Sequence, residues 1–492
     1  MEINNYFPLT SLSALELNSL IPLMVMAFGA IFSLLVGTDK NRGHDWAFAM
    51  SFGTLVLTLL HSVFNFANHD VTLLGGTLVF NSFTKSISIM AYLFALIAVV
   101  LTYGQDRKEG LLSEIYALIL FSCSGMVLML STTHLLFMFI ALEIMSLAIY
   151  VMVAMRRTSQ YSAEAGMKYF ILGGLASALM LYGSGLIFGS TGSFELTSIA
   201  HHLTSNTNIS PLYFVGLALL MVSLLFKVGA APFHGWVADV YQGAPTNVTG
   251  YMGAAVKFTA FLAFARISQS TIFVKNVEGL VWFQHFIWIV AAVSMIYGNF
   301  VAIAQTELKR MLAFSTIAHT GYLLLGLYTM GIGTQSLETM LLYLFFYALS
   351  NLGAFAVISL FENQNQKDLT LDQIAGQGIK HPVLGISLTI FLFSMAGIPL
   401  TSGFIGKYGL FSAAVAAGEI PLVVIAVLTS VVSVYYYLRV LVYLFMKEAD
   451  GKPATFHKLK GASITALVSA LMTLQFGLFP KMMIQFVKMI TQ

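Results

Sequence analysis

Six ionisable side chains stand inside stretches of sequence that are otherwise apolar: Glu143, Lys168, Lys227, Lys257, His319 and Lys407. Glu143 falls midway through LLFMFIALEIMSLAIY, and His319 midway through STIAHTGYLLLG. A charged side chain at the centre of a bilayer costs about 2.5–3.5 kcal/mol on insertion scales, so four such lysines are not filler. Taken out of water, a carboxyl and an ammonium hold their protons less unequally, and such groups can trade protons near neutral pH. An imidazole does so without any perturbation. Plainer readings stand beside this one. A buried Glu143–Lys227 pair also fits a structural clamp, and His319 also fits a satisfied core histidine. Lys168, close to the start of its run, also fits a side chain that snorkels to the interface. His134, His234 and His285 lie near run ends or a break and read as interfacial. The 25 Met, the 40 Phe and the Tyr435–Tyr437 triplet read as packing or lipid-facing residues.

These groups sit in a chain of 492 residues, 58% hydrophobic and 9% charged, with a mean hydropathy of +0.84. A soluble domain carries roughly 25% charged residues. The deficit excludes a soluble enzyme, a nucleic-acid binder and a disordered scaffold, and implies an all-α polytopic membrane protein in contact with the lipid bilayer. The net charge of +3 decides nothing about partners. The lone Cys123 excludes a disulfide framework and an iron–sulfur cluster, which takes about four thiolates. The opening MEINNYFPLT lacks a basic n-region, so the first apolar run is expected to be a retained span.

Apolar runs fall at 15–37, 46–66, 86–104, 113–130, 132–154, 163–190, 211–240 and 247–266. They continue at 281–304, 308–330, 335–361, 382–418, 420–446 and 461–487, fourteen in all. The longest polar stretch, Glu362–His381, is too short for a further domain, so 1–492 reads as one membrane domain. With the N-terminus outside, the inside connections hold Lys40, Arg42, Arg107, Lys108, Arg156, Arg157, Lys309, Arg310, Lys367, Lys380, Lys447, Lys452, Lys458 and Lys460. The outside positions hold Lys85, Arg266, Lys275, Lys481 and Lys488. This bias of fourteen to five supports the count and places both termini away from the cytoplasm. Of the remaining basic residues, Arg439 lies in the thirteenth run, where its stem could snorkel, and four lysines lie inside spans.

Two runs are too long for one straight helix. Gly229 and Pro232 interrupt the seventh just after Lys227. Gly397, Pro399 and Gly403 interrupt the twelfth before Lys407. Proline removes a backbone hydrogen bond, and unsatisfied backbone at that depth must face protein or a hydrated cavity. The broken runs are five apart, as are the runs holding Glu143 and His319, so each pair crosses in opposite directions. This is the pattern of two inverted five-helix repeats, one in 113–266 and one in 281–446, flanked by N-terminal helices in 1–112 and a last helix in 461–487. Paired interrupted spans point to an ion site.

Five stretches carry a resemblance: LEIMSLAIYVMVA (142–154), EAGMKYFILGG (164–174), FKVGAAPFHGWVADVYQGAPTNVT (226–249), TELKRMLAFSTIAHTGY (306–322) and SMAGIPLTSGFIGKY (394–408). The chain resembles the antiporter-like membrane subunits of respiratory complex I, bacterial NADH–quinone oxidoreductase, and within them the subunit N branch, which DVYQGAP favours. The resemblance runs from about residue 110 to 445. It implies fourteen core helices, broken seventh and twelfth helices, and proton-transfer roles for Glu143, Lys227, Lys257 and Lys407, with Lys168 and His319 less central. It implies a translocase subunit of a bacterial inner-membrane respiratory chain, with other membrane-arm subunits as partners. FMN, iron–sulfur clusters and quinone would belong to partner subunits, with no redox centre, metal or other cofactor on this chain.

Two other functions stay open. A subunit of a multi-subunit cation/proton antiporter or of a membrane-bound hydrogenase would carry the same intramembrane chemistry. A haem-bearing redox carrier would need paired mid-membrane histidines, and His319 alone is clearly at that depth. No G-x-G-x-x-G lies in a βαβ setting, so NADH is not expected to bind here.

Overall fold

The computed structural model describes residues 13–66, 70–104, 113–156, 158–206, 208–275, 277–332, 336–362, 369–448, 456 and 459–491. Arg107, Lys108, Arg157, Lys367, Lys452 and Lys458, which the sequence assigns to inside connections, lie outside the described residues. The helices are α1 (Ala14–Gly37), α2 (Gly43–Phe64), α3 (Ser82–Thr102), α4 (Glu114–Ser131), α5 (Leu135–Val153), α6 (Gln160–Thr191) and α7 (Leu196–Ser205). Next come α8 (Pro211–Val228), α9 (Val237–Gly243), α10 (Thr246–Tyr251), α11 (Lys257–Thr271), α12 (Leu280–Ala304), α13 (Leu308–Met330) and α14 (Ser336–Phe361). Last are α15 (Gln377–Lys380), α16 (Pro382–Ala396), α17 (Ser402–Ala416), α18 (Ile420–Met446), α19 (Lys460–Leu478) and α20 (Lys481–Thr491).

Among the described residues, thirteen helical segments are long and apolar enough to cross a membrane, α10 and α11 counting as one continuous span, Thr246–Thr271. The twelfth apolar run is the remaining crossing, split into α16 and α17. Local chemistry starts the spans where expected. Ser13 and Glu16 form a capping box on α1, Asn81 caps α3, and prolines open α8 and α16, where a missing N–H costs nothing. The span of α10 and α11, with α13 and α14, is almost wholly buried, whereas α1, α2, α6, α18 and α19 turn much of their surface outward. The core is therefore a ring of helices around α11, α13 and α14.

The sequence reading needs correction in three places. Run fourteen does not continue to 487: α19 stops at Leu478, because Pro480 cannot extend it, and α20 is a separate helix. It buries Met483, Val487 and Ile490 on one face and has an amphipathic pattern rather than a spanning one. A two-stranded antiparallel hairpin pairs Val71–Leu73 with Leu78–Phe80 between the second and third spans, too short to leave a periodic signal. A π-helical turn, Met252–Val256, sits in the eighth span immediately before Lys257.

Connections predicted on one side touch one another. At one end Ser113 bonds Gly37 O at 2.8 Å, Arg156 pairs with Glu362, and Arg310 pairs with Asp239. At the other end Thr132 bonds Thr77 O at 2.8 Å and His134 bridges Glu195.

Several contacts occur twice. A Cβ on Gly125 would meet Met145 N at 2.5 Å and Ala141 O at 2.8 Å, and one on Gly298 would meet Ala318 N and Phe314 O at the same distances. These glycines let α4 approach α5, and α12 approach α13, backbone to backbone. Arg266 donates to Leu130 O at 2.8 Å and Thr132 O at 3.0 Å at the end of α4. Arg439 donates to Ile303 O at 2.7 Å and to Gln305 O at the end of α12. Both cations cap a helix C-terminus, so Arg439 does not snorkel. Leu135 N bonds Phe194 O and Leu196 N bonds Thr133 O, each at 3.0 Å. Leu308 N bonds Leu369 O and Leu371 N bonds Thr306 O, each also at 3.0 Å.

Candidate functional site

The seventh span breaks because Gly229 takes a left-handed conformation, φ 71°, which glycine adopts without a Cβ penalty, and Pro232 follows. Protein groups answer backbone groups at the break. Val228 O accepts from Thr320 Oγ1 at 2.9 Å, Ala231 N donates to Ser294 Oγ at 2.9 Å, and Trp236 Nε1 donates to Phe226 O at 3.1 Å. Lys227 lies in the last turn of α8, where the helix dipole favours a cation. It is buried. Its ammonium donates to Ser146 Oγ at 2.6 Å and stands 5.6 Å from the ring centres of Tyr150 and Tyr169.

Glu143, on α5, does not close an ion pair with Lys227. Its carboxylate accepts from Ser177 of α6, and Ser146 one turn along holds the lysine instead. The clamp considered from sequence is thus not formed; both groups are held by hydroxyls.

The twelfth run breaks in the same manner at Gly397, φ 82°. A Cβ there would stand 2.8 Å from Lys407 Cδ, so glycine is required both for the turn and for the lysine's room. Lys407 rises from α17 and folds back: its ammonium donates to Ala396 O at 3.0 Å, at the end of α16, and to Ser430 Oγ at 2.9 Å. It also lies 5.0 Å from the Tyr322 ring centre. Ser394 Oγ accepts from Gly403 N at 3.0 Å, closing the link.

Lys257 lies between the two breaks. The π turn before it widens the helix, and such turns recur at functional sites. The buried ammonium donates to Thr316 O at 2.6 Å and stands 5.3 Å from the Tyr347 ring centre. Lys227 and Lys257 line one cavity of about 10 Å³, with Tyr169, Trp236, Tyr241 and Thr316. That is room for about one water. His319, one turn beyond Thr316, is buried with a tyrosine hydroxyl on each ring nitrogen, Tyr343 on Nδ1 and Tyr437 on Nε2.

The structure therefore brings Lys227, Lys257, His319 and Lys407 into one buried belt, with the half-buried Glu143 beside its Lys227 end. Lys168 is not in it. Its side chain is 41% exposed and pairs with Glu164 at 2.7 Å and Asp239 at 2.9 Å, beside a surface cavity that also reaches Gln242 and Gly243.

Sequence reasoning missed the serines and tyrosines that hold these groups. Ser146 was detectable by its spacing of three from Glu143, which places both on one helix face; the tyrosines come from other helices and left no local signal. It also read Arg156 and Lys309 only as topology markers. Both pair with the carboxylate of Glu362, at 3.1 and 3.4 Å, which Thr246 also bonds. Burial pushes the Glu362 carboxyl up, but Arg156 and Lys309 outweigh that and hold it well below the usual carboxylate range. No group of three or more His, Cys, Asp or Glu is arranged to hold a metal among the described residues.

A profile of the NADH:quinone oxidoreductase/Mrp antiporter transmembrane family matches residues 132–433. NADH-quinone oxidoreductase subunit N of Bdellovibrio bacteriovorus is 40% identical over 416 residues, 84% of this chain and 85% of that protein. The subunit N of Granulibacter bethesdensis is 39% identical over 465 residues, covering 93% and 95%. A chain of respiratory complex I from Thermus thermophilus with bound aureothin superposes with a TM-score of 0.79 at 32% identity, covering 94% of this chain and 98% of that one. A chain of the Mrp complex from Dietzia reaches 0.84 at 20% identity, over 96% and 97%, a likeness of fold alone. The matched span holds Glu143 and the whole belt from Lys227 to Lys407, and the chain belongs to the NADH:quinone oxidoreductase/Mrp antiporter family of membrane subunits, in its subunit N group.

Proposed function

We propose that this chain is a proton-translocating membrane-arm subunit of an NADH–quinone oxidoreductase, moving protons along its buried polar belt while redox chemistry proceeds on partner subunits. The observation that carries this is that Lys227, Lys257 and Lys407 are buried beside a helix break or π turn, and each is held by hydroxyl or carbonyl oxygens instead of a carboxylate. A lysine whose partners are neutral can give up its proton without leaving a buried anion behind, as a structural ion pair cannot.

In this reading a proton arrives at Lys227, where Glu143 sets the local charge. A carboxylate drawn toward Lys227 favours its ammonium, and withdrawal sends the proton across the shared cavity to Lys257. His319 lies on the way to Lys407, which releases it outward or to a neighbouring subunit. Lys168, with Asp239, belongs to the outer approach. Moving one charge against about 100 mV takes about 2.3 kcal/mol, and about a fiftyfold change in one lysine's proton affinity is the same size. The twofold contacts at Gly125 and Gly298, and at Arg266 and Arg439, support two inverted repeats made of spans four to eight and nine to thirteen. The excess of basic residues on one side supports a bacterial inner-membrane orientation with both termini periplasmic. FMN, iron–sulfur clusters and quinone belong to the partner subunits.

Glu143→Gln in the whole complex tests the reading. Assembly of the membrane arm is retained and NADH-driven proton pumping slows. A variant that assembles and pumps like the parent removes Glu143 from the mechanism. Pumping that persists without any co-purifying flavin or iron–sulfur subunits would instead identify a free-standing antiporter.

A further inference from the structure

His319 is bonded at both ring nitrogens to hydroxyls: Nδ1 to Tyr343 Oη, and Nε2 to Tyr437 Oη at 3.1 Å. The Tyr437 hydroxyl in turn bonds Ser315 Oγ. All four side chains are buried, and they come from three helices: α13 (Ser315 and His319), α14 (Tyr343) and α18 (Tyr437). A neutral imidazole offers one N–H and one bare nitrogen, and each hydroxyl offers one proton. The chain Ser315–Tyr437–His319–Tyr343 can therefore run in either of two opposite senses. In one, Tyr343 donates to Nδ1, Nε2–H donates to Tyr437, and Tyr437 donates to Ser315. In the other, every bond is reversed: Ser315 donates to Tyr437, Tyr437 to Nε2, and Nδ1–H to Tyr343.

We infer that Tyr343 and Tyr437 are positioning residues that poise His319 between its two tautomers, so that the ring relays a proton instead of storing one. The step balances. A proton placed on the Tyr343 oxygen displaces that residue's own proton to Nδ1. The Nε2 proton passes to Tyr437, the Tyr437 proton to Ser315, and the Ser315 proton leaves. One proton enters and one departs, each oxygen and nitrogen keeps its electron pairs, and the first arrangement becomes the second. The first arrangement returns when Nδ1 gives up its proton and Nε2 takes one up, the hydroxyls rotating back to match. Lys257 and Lys407 stand on either side. The Lys257 ammonium faces the Tyr347 ring, whose centre is 4.7 Å from that of His319. The Lys407 ammonium faces the Tyr322 ring, at 5.7 Å from His319. This rests on the reading of His319 as a proton carrier, and it gives Tyr437, taken from sequence as packing, a role in that transfer.

The test uses the whole oxidoreductase in inverted membrane vesicles, comparing NADH-driven acidification with assembly. Tyr343→Phe and Tyr437→Phe each remove one hydroxyl, and each should slow pumping at least about tenfold, below the usual range for losing acid–base catalysis. Turnover-induced infrared bands of labelled histidine should vanish in both, a signature that loss of packing alone would not produce. Tyr435→Phe, on the outward face of α18, should leave pumping unchanged. Normal pumping and normal histidine bands in the two variants overturn the inference. Glu143→Gln run in parallel separates the cases: if it alone stops pumping, the proton-translocating reading stands and the tyrosine relay fails; if it also pumps normally, both fail. Should a Phe variant not assemble, Ser315→Ala carries the test, slower pumping supporting the relay and parental pumping overturning it.

Discussion

Glu143 and Lys227 are held apart on two different serines: Ser146, three residues along α5 from Glu143, accepts from the Lys227 ammonium at 2.6 Å, while Ser177 of α6 donates to the Glu143 carboxylate. Residues three apart on a helix have Cβ atoms about 5–6 Å apart, so a rotamer change can bring the carboxylate to the ammonium or take it away. The arrangement found is the separated one. A closed ion pair would fix Lys227 as a cation; two serines leave it free to change charge.

Ser146→Ala should therefore weaken translocation without touching a charged group. A hydrogen bond to a charged partner contributes about 1.5–3 kcal/mol, so the proton affinity of Lys227 should change by roughly tenfold or more. Proton pumping in vesicles should slow, and Ser146→Thr, which keeps the hydroxyl, should recover most of it. Equal pumping in the Ala variant and the parent would show that Ser146 is only packing.

Lys257 is the one belt member that touches both halves of the site. It shares the small cavity with Lys227, and its ammonium binds the carbonyl of Thr316, one turn before His319. Lys257→Met keeps the length and volume of the side chain and removes the charge. Pumping should fall by at least about a hundredfold, as for other acid–base groups, with the subunit still assembled. Parental pumping by an assembled Met variant would route the protons elsewhere.

The spans, the two breaks and the buried ionisable residues were legible in the sequence, because membrane burial makes apolarity continuous and every charge an exception. Gly229 and Gly397 announced their turns, since glycine takes those dihedrals most readily. What stayed hidden was whatever depends on a second helix. Tyr343 and Tyr437 look like ordinary residues of apolar spans until α13, α14 and α18 are packed together. The π turn at Met252–Val256 has no residue that demands it. Lys168, close to the start of its predicted run, read from sequence as the shallowest of the four lysines, and two acidic neighbours hold it at the surface near the start of α6.

The ion cluster of Arg156, Lys309 and Glu362 should make stability depend on pH in one direction. Glu362 is held well below its ordinary value of 4.5, so its contribution is fully present above that value and is lost as the pH falls through the lowered one. Thermal unfolding of the detergent-solubilised complex should show a transition temperature that declines on acidification below the ordinary carboxylate range. Glu362→Gln takes this carboxylate from the buried Lys309 and the half-buried Arg156 and should destabilise by up to about 3 kcal/mol, below the range for a fully buried pair. It should also flatten the acid dependence in that window. An unchanged acid limb in the Gln variant would assign the dependence to another carboxylate.

Arg266 and Arg439 make matching contacts in the two halves of the chain. Each guanidinium reaches the carbonyls just before and just after the last residue of a helix, Leu130 and Thr132 for α4, Ile303 and Gln305 for α12. If the two halves are inverted repeats, these are one contact made twice, and its removal should have one effect seen twice. Arg266→Leu and Arg439→Leu should each lower the thermal stability of the complex by a similar amount. Lysine should not rescue either site, because its point charge cannot span two carbonyls as the planar guanidinium does. A large loss at one position with none at the other, both variants being assembled, would separate the two caps and count against the repeat. Matched losses would mean that the ends of α4 and α12 are held by the same device, in the same place, on opposite sides of the membrane.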